Sequence, residues 1–290
     1  MIGLSINTRT DVARLLCVGP EQIDAVVQHM KWLYQPMQRS KADGTKRTLD
    51  VPTGPLKLLQ QKIKGHVLDA TGVLECVHGG VKKRSVITNA LPHVGKDVVF
   101  ALAIQGFFPS ISSSAVRAVF RALGFGEEAA ALLTRVVVWK GHLPQGAATS
   151  TGVANLAMTR IDMRLRSLAR QQGFDYTRFI DDLALSGSRR LLNFRRLIIR
   201  IVEEEGFRVN PSKIRTMHSG MRQEVTGVIV NRKLNLSWEE RDRIRQSVIR
   251  FASTPKRFRT EEDRIRGQLS WLSCINAPLG RRLRTRIEGF

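Results

Sequence analysis

The sequence predicts an α+β fold built around a small antiparallel sheet, and three observations carry that prediction. Val98 to Ile104 is a continuous apolar run of strand length, the pattern of a buried central strand. Tyr176 to Ile180 and Leu183 to Leu185 are two further short runs joined by Asp181 and Asp182, which reads as a hairpin with an acidic tip. Apolar residues at helical spacing occupy both ends of the chain, over residues 9–34 and again over 238–290.

The elements follow in order. Asp11 caps a helix with Val12, Leu15 and Leu16 on one face, and Pro20 suits the first turn of a second helix carrying Ile23, Val26, Val27 and Met30. Lys41 to Pro52 reads as a hairpin with a glycine turn, lined with basic residues and followed by a helix with Leu56, Leu58, Leu59, Ile63 and Val67. The Val98 strand ends at a Gly-Phe-Phe-Pro turn, from which a helix over 115–123 departs. Val225 to Val230 supplies another strand. The C-terminal segment is helical and very basic, with Ile244, Val248, Ile249, Ile265, Leu269 and Leu272 as its core positions. No internal repeat or low-complexity linker separates these parts, so they are expected to pack together.

Charge narrows the class of partner. In 290 residues, 47 Lys and Arg stand against 25 Asp and Glu, a net charge of +22 and a pI of about 11.1. A polyanion is the expected partner. The excess runs through the whole chain, from Lys82, Lys83 and Arg84 to Lys256, Arg257, Arg259 and the cluster at Arg281, Arg282 and Arg284. No stretch approaches the roughly 20 apolar residues of a membrane span, and no secretory signal opens the chain, so a cytoplasmic protein without a membrane partner is expected. Cys17, Cys76 and Cys274 are far apart and odd in number, which argues against a disulfide framework or a zinc site and for small buried hydrophobes.

Two adjacent carboxylates at the tip of an apolar hairpin suit Mg²⁺, a hard cation that prefers oxygen ligands and is shared with substrate phosphates. An ordinary acidic turn is the alternative for an isolated pair, and other segments decide between them. The Phe179-Ile180-Asp181-Asp182 turn resembles the Tyr-x-Asp-Asp motif of reverse transcriptases. Leu143-Pro144-Gln145-Gly146, with Asn155 downstream, is similar to that family's LPQG segment, and Glu204 to Lys213 resembles its next motif. Asn89-Ala90-Leu91-Pro92-His93 fits the NAxxH signature of bacterial retron reverse transcriptases, and Val225-Thr226-Gly227 fits their VTG signature. Either short string alone is weak, but in this order the set is strong.

The resemblance implies a right-hand polymerase: N-terminal helices and fingers over 1–97, a palm with a small antiparallel sheet over 98–230, and a basic helical thumb over 231–290. It implies an RNA-directed DNA polymerase that uses two Mg²⁺ ions and dNTPs. The RNA partner is a cognate structured noncoding RNA, part of which is copied into DNA from a 2′-hydroxyl primer. The branched RNA-DNA hybrid product (msDNA) works with a separate effector protein in antiphage defence. An abortive-infection type of defence reverse transcriptase and a non-catalytic RNA-binding scaffold are the alternatives.

By resemblance, Asp181 and Asp182 bind metal, with the backbone of Ile104 beside them, and Gln145 and Gly146 contact the base pair and nucleotide. Lys213 lies near the incoming triphosphate. Phe108 is either the ring under the sugar that excludes a ribose 2′-hydroxyl or simple core packing. Arg47 and Arg84 are either triphosphate clamps or solvated surface cations. Asn89, His93, Val225, Thr226 and Gly227 are implied RNA-binding residues, although His93 also fits a satisfied core histidine and Thr226-Gly227 a tight bend. Arg241, Arg245 and Arg266 are available to track duplex phosphates.

One position departs from the family. Where its members carry an aspartate four residues before the first phenylalanine of Phe107-Phe108-Pro109-Ser110, this chain has Ala103. Two Mg²⁺ ions about 4 Å apart repel each other and need bridging carboxylates, and a methyl group coordinates nothing. Asp97 is six positions upstream, about 20 Å away in an extended run at roughly 3.3 Å per residue, and cannot substitute. The chain is therefore expected to be catalytically impaired, either as an inactivated variant or as a natural pseudo-enzyme.

Overall fold

The computed structural model describes residues 6–40, 44, 46–253 and 261–288. Helix α1 (Arg9–Leu16) opens on a capping box: Thr8 accepts from the Asp11 amide, and the Asp11 carboxylate accepts from the Thr8 amide at 3.0 Å. Thr8 is thus the cap, and Asp11 the reciprocal third residue rather than the cap expected of it. Pro20 opens α2 (Pro20–Gln28) as expected, and α3 (Met30–Leu33) is a single turn.

The first hairpin begins earlier than the sequence suggested. Strand β1 (Tyr34–Ser40) pairs antiparallel with β2 (Lys46–Pro52), from Tyr34 opposite Pro52 to Ser40 opposite Lys46. Tyr34 is buried, stacked on Trp139 at 4.6 Å, and its hydroxyl accepts from Gln60 at 3.0 Å, contacts that draw it out of the preceding helical pattern. The turn residues 41–43 and 45 lie outside the described residues. Helix α4 (Gly54–Ile63) buries Leu56, Leu59 and Ile63 and runs on into a π-helical turn, Lys64–Leu68, while Leu58 faces solvent. Ser85 caps α5 (Val86–Ala90), which tightens into a 3-10 turn at Leu91–His93.

The central strand β3 (Val98–Ala103) is followed by α6 (Phe107–Ser110), α7 (Ser113–Ala122), α8 (Glu127–Val137), α9 (Ser150–Ala157) and α10 (Thr159–Gln172). The hairpin β4 (Asp175–Phe179) and β5 (Asp182–Gly187), then α11 (Arg195–Glu204) and β6 (Arg215–His218), complete an antiparallel sheet of order β4-β5-β3-β6. Both faces of β3 are covered, which is why it reads as an unbroken apolar run. Val98, Phe100 and Leu102 enter one core with Leu183 and Leu185, whereas Val99 and Ala184 enter a second. Strand β6 buries only Met217 and has no apolar run to announce it.

The expected strand over Val225–Val230 is instead a tight hairpin of β7 (Glu224–Val225) and β8 (Val228–Ile229). Thr226 and Gly227 at its tip have φ of 47° and 81°, the left-handed pair that a two-residue hairpin turn demands. Among the described residues, three helices follow: α12 (Trp238–Ser253), α13 (Glu262–Ile275) and α14 (Ala277–Glu288). Ile244, Val248, Ile265, Leu269 and Leu272 form the second core with Ala90, Val99 and Ala184, while Ile249 is half-buried. Lys256, Arg257 and Arg259 lie outside the described residues. Of the cysteines only Cys76 is buried; Cys17 and Cys274 are exposed, contrary to expectation. Among the described residues no helix is long and apolar enough to cross a membrane.

Candidate active site

The tip of the β4–β5 hairpin carries the two carboxylates. Phe179 pairs with Asp182 across the turn, and Ile180 adopts a left-handed φ of 58°, uncommon for a β-branched residue. The tip is stitched to the end of the central strand. Ala103 lies opposite Asp182, the Ile104 amide donates to the Asp181 carbonyl at 3.0 Å, and the Asn210 amide donates to the Ala103 carbonyl at 2.8 Å. Ala103, Ile104, Asp181 and Asp182 therefore meet, as their motif order suggested. Asp97 sits at the opposite end of β3, where its carbonyl accepts from Ser219 at 2.8 Å.

Burial, and then the neighbouring Asp181 carboxylate, pushes Asp182 up to about 6, against the opposite pull of Lys213 and Arg215. Lys213 reaches to 3.8 Å from Asp181, a partly exposed pair whose attraction solvent screens. The turn thus sets two half-buried carboxylates side by side, with Lys213 and Arg215 as the facing cations, and offers oxygen donors of the kind a hard divalent ion takes. Among the described residues no three His, Cys, Asp or Glu side chains converge to hold a metal. The donors fit one hard cation and fall short of the bridging set that two would need.

A cavity of about 510 Å³ opens beside Asp182, walled by Phe179, Lys213, Arg215, Thr226 and Gly227. Its size suits a nucleotide-sized group. Lys213 and the Thr226-Gly227 turn, separate strings in the sequence, share this space. Gly106, left-handed at φ 56°, starts the short helix that carries Phe108 one step beyond β3. Phe108 is half-buried and tilts against Phe107 at 5.3 Å, so part of its ring is packed and part presented. Gln145 and Gly146 lie against the first hairpin: the Asp50 amide donates to the Gln145 carbonyl at 2.9 Å. A Cβ on Gly146 would come within 3.1 Å of the Asp50 carbonyl, at a φ of 127°. Arg47, on the same hairpin, is exposed.

Several implied contacts are placed differently. His93 is fully buried, its ring nitrogens 2.7 Å from Ser186 Oγ and 2.8 Å from Thr177 Oγ1, so it bridges the two strands of the carboxylate hairpin and reaches no RNA-facing surface. Asn89 is buried too and donates to Thr226 Oγ1 at 3.2 Å, tying the NAxxH and VTG strings into one unit. Val225 is a core residue. Arg84 donates through Nη1 to the carbonyls of Leu74 at 2.7 Å and of Val77, stapling a loop. Arg241 is half-buried, whereas Arg245 and Arg266 are exposed and paired at 2.7 Å with Asp242 and Glu262.

Sequence reasoning missed Arg178 and Asp162, both fully buried behind the turn. The signal was a lone arginine inside the apolar Tyr176 to Ile180 run, since a charge is fully buried only when paired. Asn155, read with the nucleotide pocket, is buried in the same network.

Comparison with known proteins adds the family. The model described as reverse transcriptase (RNA-dependent DNA polymerase) matches residues 39–254. The chain is 35% identical to the retron Mx65 reverse transcriptase of Myxococcus xanthus, over 98% of this chain and 72% of that protein. It is 28% identical to the retron Ec86 reverse transcriptase of Escherichia coli, over 99% of this chain and 91% of that protein. A Candida albicans telomerase structure with a fragment of telomeric RNA shares the fold alone, with a TM-score of 0.51 at 9% identity; the match covers 74% of this chain and half, 50%, of the telomerase chain.

Proposed function

The chain belongs to the reverse transcriptases of bacterial retrons, a family of RNA-directed DNA polymerases, and we propose that it binds its own structured noncoding RNA at a site built to copy part of that RNA into DNA. The observation that carries the reading is the Asp181-Asp182 turn lodged against the end of β3, beside a cavity walled by Lys213 and Arg215. Asp181 and Asp182, with the Ile104 backbone, are the residues that would hold Mg²⁺. Bound there, Mg²⁺ supplies activation of the primer hydroxyl and charge neutralisation at the leaving pyrophosphate. Gln145 and Gly146 would position the templating pair, Phe108 would lie under the sugar, and Arg47 and Lys213 would meet the triphosphate.

In this proposal residues 1–97 serve as N-terminal helices and fingers, 98–230 as palm and 231–290 as thumb, whose cations follow the backbone of an RNA or RNA-DNA duplex. Priming from an RNA 2′-hydroxyl, an msDNA product, dNTPs as substrates, a separate effector, antiphage defence and a cytoplasmic setting belong to the same reading.

Ala103 supports the further proposal that the chain as it stands polymerises poorly or not at all, because two carboxylates remain where the chemistry calls for a third. The same residue favours a second reading, an RNA-binding scaffold without synthesis. Mg²⁺-dependent DNA synthesis on an RNA template, by this chain and by Ala103→Asp side by side, separates them. A gain of more than about 100-fold in Ala103→Asp is expected, since even outer-shell losses cost roughly 10- to 100-fold at metal sites. Equal inactivity on the native RNA as well as on a primed template would leave the scaffold.

A further inference from the structure

We propose that the buried Asp162, Arg178 and Asn155 form a positioning device for the carboxylate turn, holding Ile180 in its left-handed conformation and thereby setting the direction of Asp181 and Asp182. The inference adds a function to residues outside the reading above and depends on that reading only for its metal arm. Strand β4 alternates, so Tyr176 and Arg178 face α10 while Thr177 faces His93. The side chains of Arg178 and Asp162 are both 0% exposed. Arg178 Nε donates to Asp162 Oδ1 at 2.8 Å and Nη2 to Oδ2 at 2.7 Å, a two-pronged fit that only a planar guanidinium makes.

The third nitrogen reaches the turn itself. Nη1 donates to the Ile180 carbonyl at 2.9 Å and to Asn155 Oδ1 at 3.0 Å. Asn155 in turn donates through Nδ2 to the Gly79 carbonyl at 2.9 Å. Gly79 presses on the other side of the turn, where a Cβ would stand 2.4 Å from the Ile180 nitrogen. The neighbouring His78 amide donates to the Arg178 carbonyl at 2.7 Å. Tyr176 secures the anchor by donating to Asp162 Oδ1 at 2.7 Å.

A left-handed backbone at a β-branched residue persists only where the surroundings over-determine it, and these contacts grip Ile180 from the helix side and from the loop side. A buried ion pair of this kind is poor at adding stability compared with a hydrophobic replacement of similar volume. Its geometric reach to the Ile180 carbonyl is what an apolar pair would lack.

Two variants test the device. Arg178→Lys keeps a positive charge against Asp162 but loses the fork to Ile180 and Asn155; the double variant Asp162→Leu with Arg178→Met removes both charges at similar volume. Hydrogen exchange is read over residues 176–185, with α13 as the internal reference. Mn²⁺ affinity is read by electron paramagnetic resonance in the parent and in Ala103→Asp, with Asp181→Asn as the control for the site. At least one variant is expected to keep the protection of α13 while exchange at the turn accelerates at least tenfold and Mn²⁺ affinity falls about 10- to 100-fold. Unchanged exchange at the turn in a folded variant overturns the inference, and so does loss of α13 protection in both, which would assign the network to stability alone. Absence of Mn²⁺ binding in both parent and Ala103→Asp would instead overturn the metal reading, while the exchange measurement still decides the positioning role.

Discussion

The carboxylate hairpin and the C-terminal helices use the same charged side chains in opposite ways. Behind the hairpin, Arg178 meets Asp162 with both side chains 0% exposed, and each polar atom has a defined direction. On α12 and α13, Arg245 with Asp242 and Arg266 with Glu262 are surface pairs within one helix, more than half exposed on the arginine side. The hairpin therefore rests on a single buried pair that tolerates little change, whereas α12 and α13 carry exposed pairs of which each contributes little to stability.

The contrast is broken most directly at Arg178. Arg178→Ala leaves the Asp162 carboxylate buried without its counter-ion and is expected to cost about 3–5 kcal/mol in a urea unfolding titration. A cost under about 1 kcal/mol would remove the distinction between the regions.

His93 gives the next largest effect. Burial holds its pKa down, at about 4, against an ordinary 6.5. The unfolded chain takes up the proton first, so the stability contributed by neutral His93 is fully present above about pH 6.5 and is lost as pH falls toward 4, about 3 kcal/mol in all. Asp182, whose pKa is raised, works in the opposite direction over part of this window. Comparison of unfolding midpoints with His93→Gln isolates the histidine: the variant should show a flatter acid limb.

Two glycines sharpen the comparison further. Gly79→Ala drives a methyl against the Ile180 nitrogen and should destabilise by about 1–3 kcal/mol. Gly267→Ala, on α13 with nothing within 4 Å of the added carbon, should stabilise by about 0.5–1 kcal/mol, because alanine is the better helix former. Thermal melts that moved in the same direction for both would argue against tight packing at the turn.

The smallest effect belongs to Arg266→Ala, which should change stability by no more than about 0.5 kcal/mol. If Arg266 meets a phosphate, the dependence of RNA affinity on salt should become shallower by about one charge. An unchanged slope would take Arg266 out of the interface.

What was legible in the sequence was mostly local. The apolar Val98 run, the acidic turn and the thumb periodicity each lie within a short window, and each sits close to where it was expected. The missing features are non-local. Strand β6 is an edge strand with one buried side chain, so it carries no pattern of its own. Tyr34 reads as the end of a helix until Trp139 and Gln60 are brought against it. Val225 to Val230 looks like one strand because Thr226, at φ 47°, is an uncommon choice for a left-handed turn position. At the site, the meeting of Asp181 and Asp182 with Ala103 was readable from motif order. The burial of His93 and the backbone partners of Arg84 were not, since neither can be read from a signature string.

The second core has a consequence for how the chain assembles as it emerges from the ribosome. Helices α12 to α14 are made after the sheet, and the surface they need is supplied by Ala90, Val99 and Ala184, residues already incorporated into α5 and the central sheet. N-terminal parts fold first during synthesis, so the sheet and its acidic tip can be in place before the thumb has a floor to settle on. A chain arrested before α12 would then present the small side chains of that floor to solvent, a transient sticky face that α12 to α14 cover once they emerge.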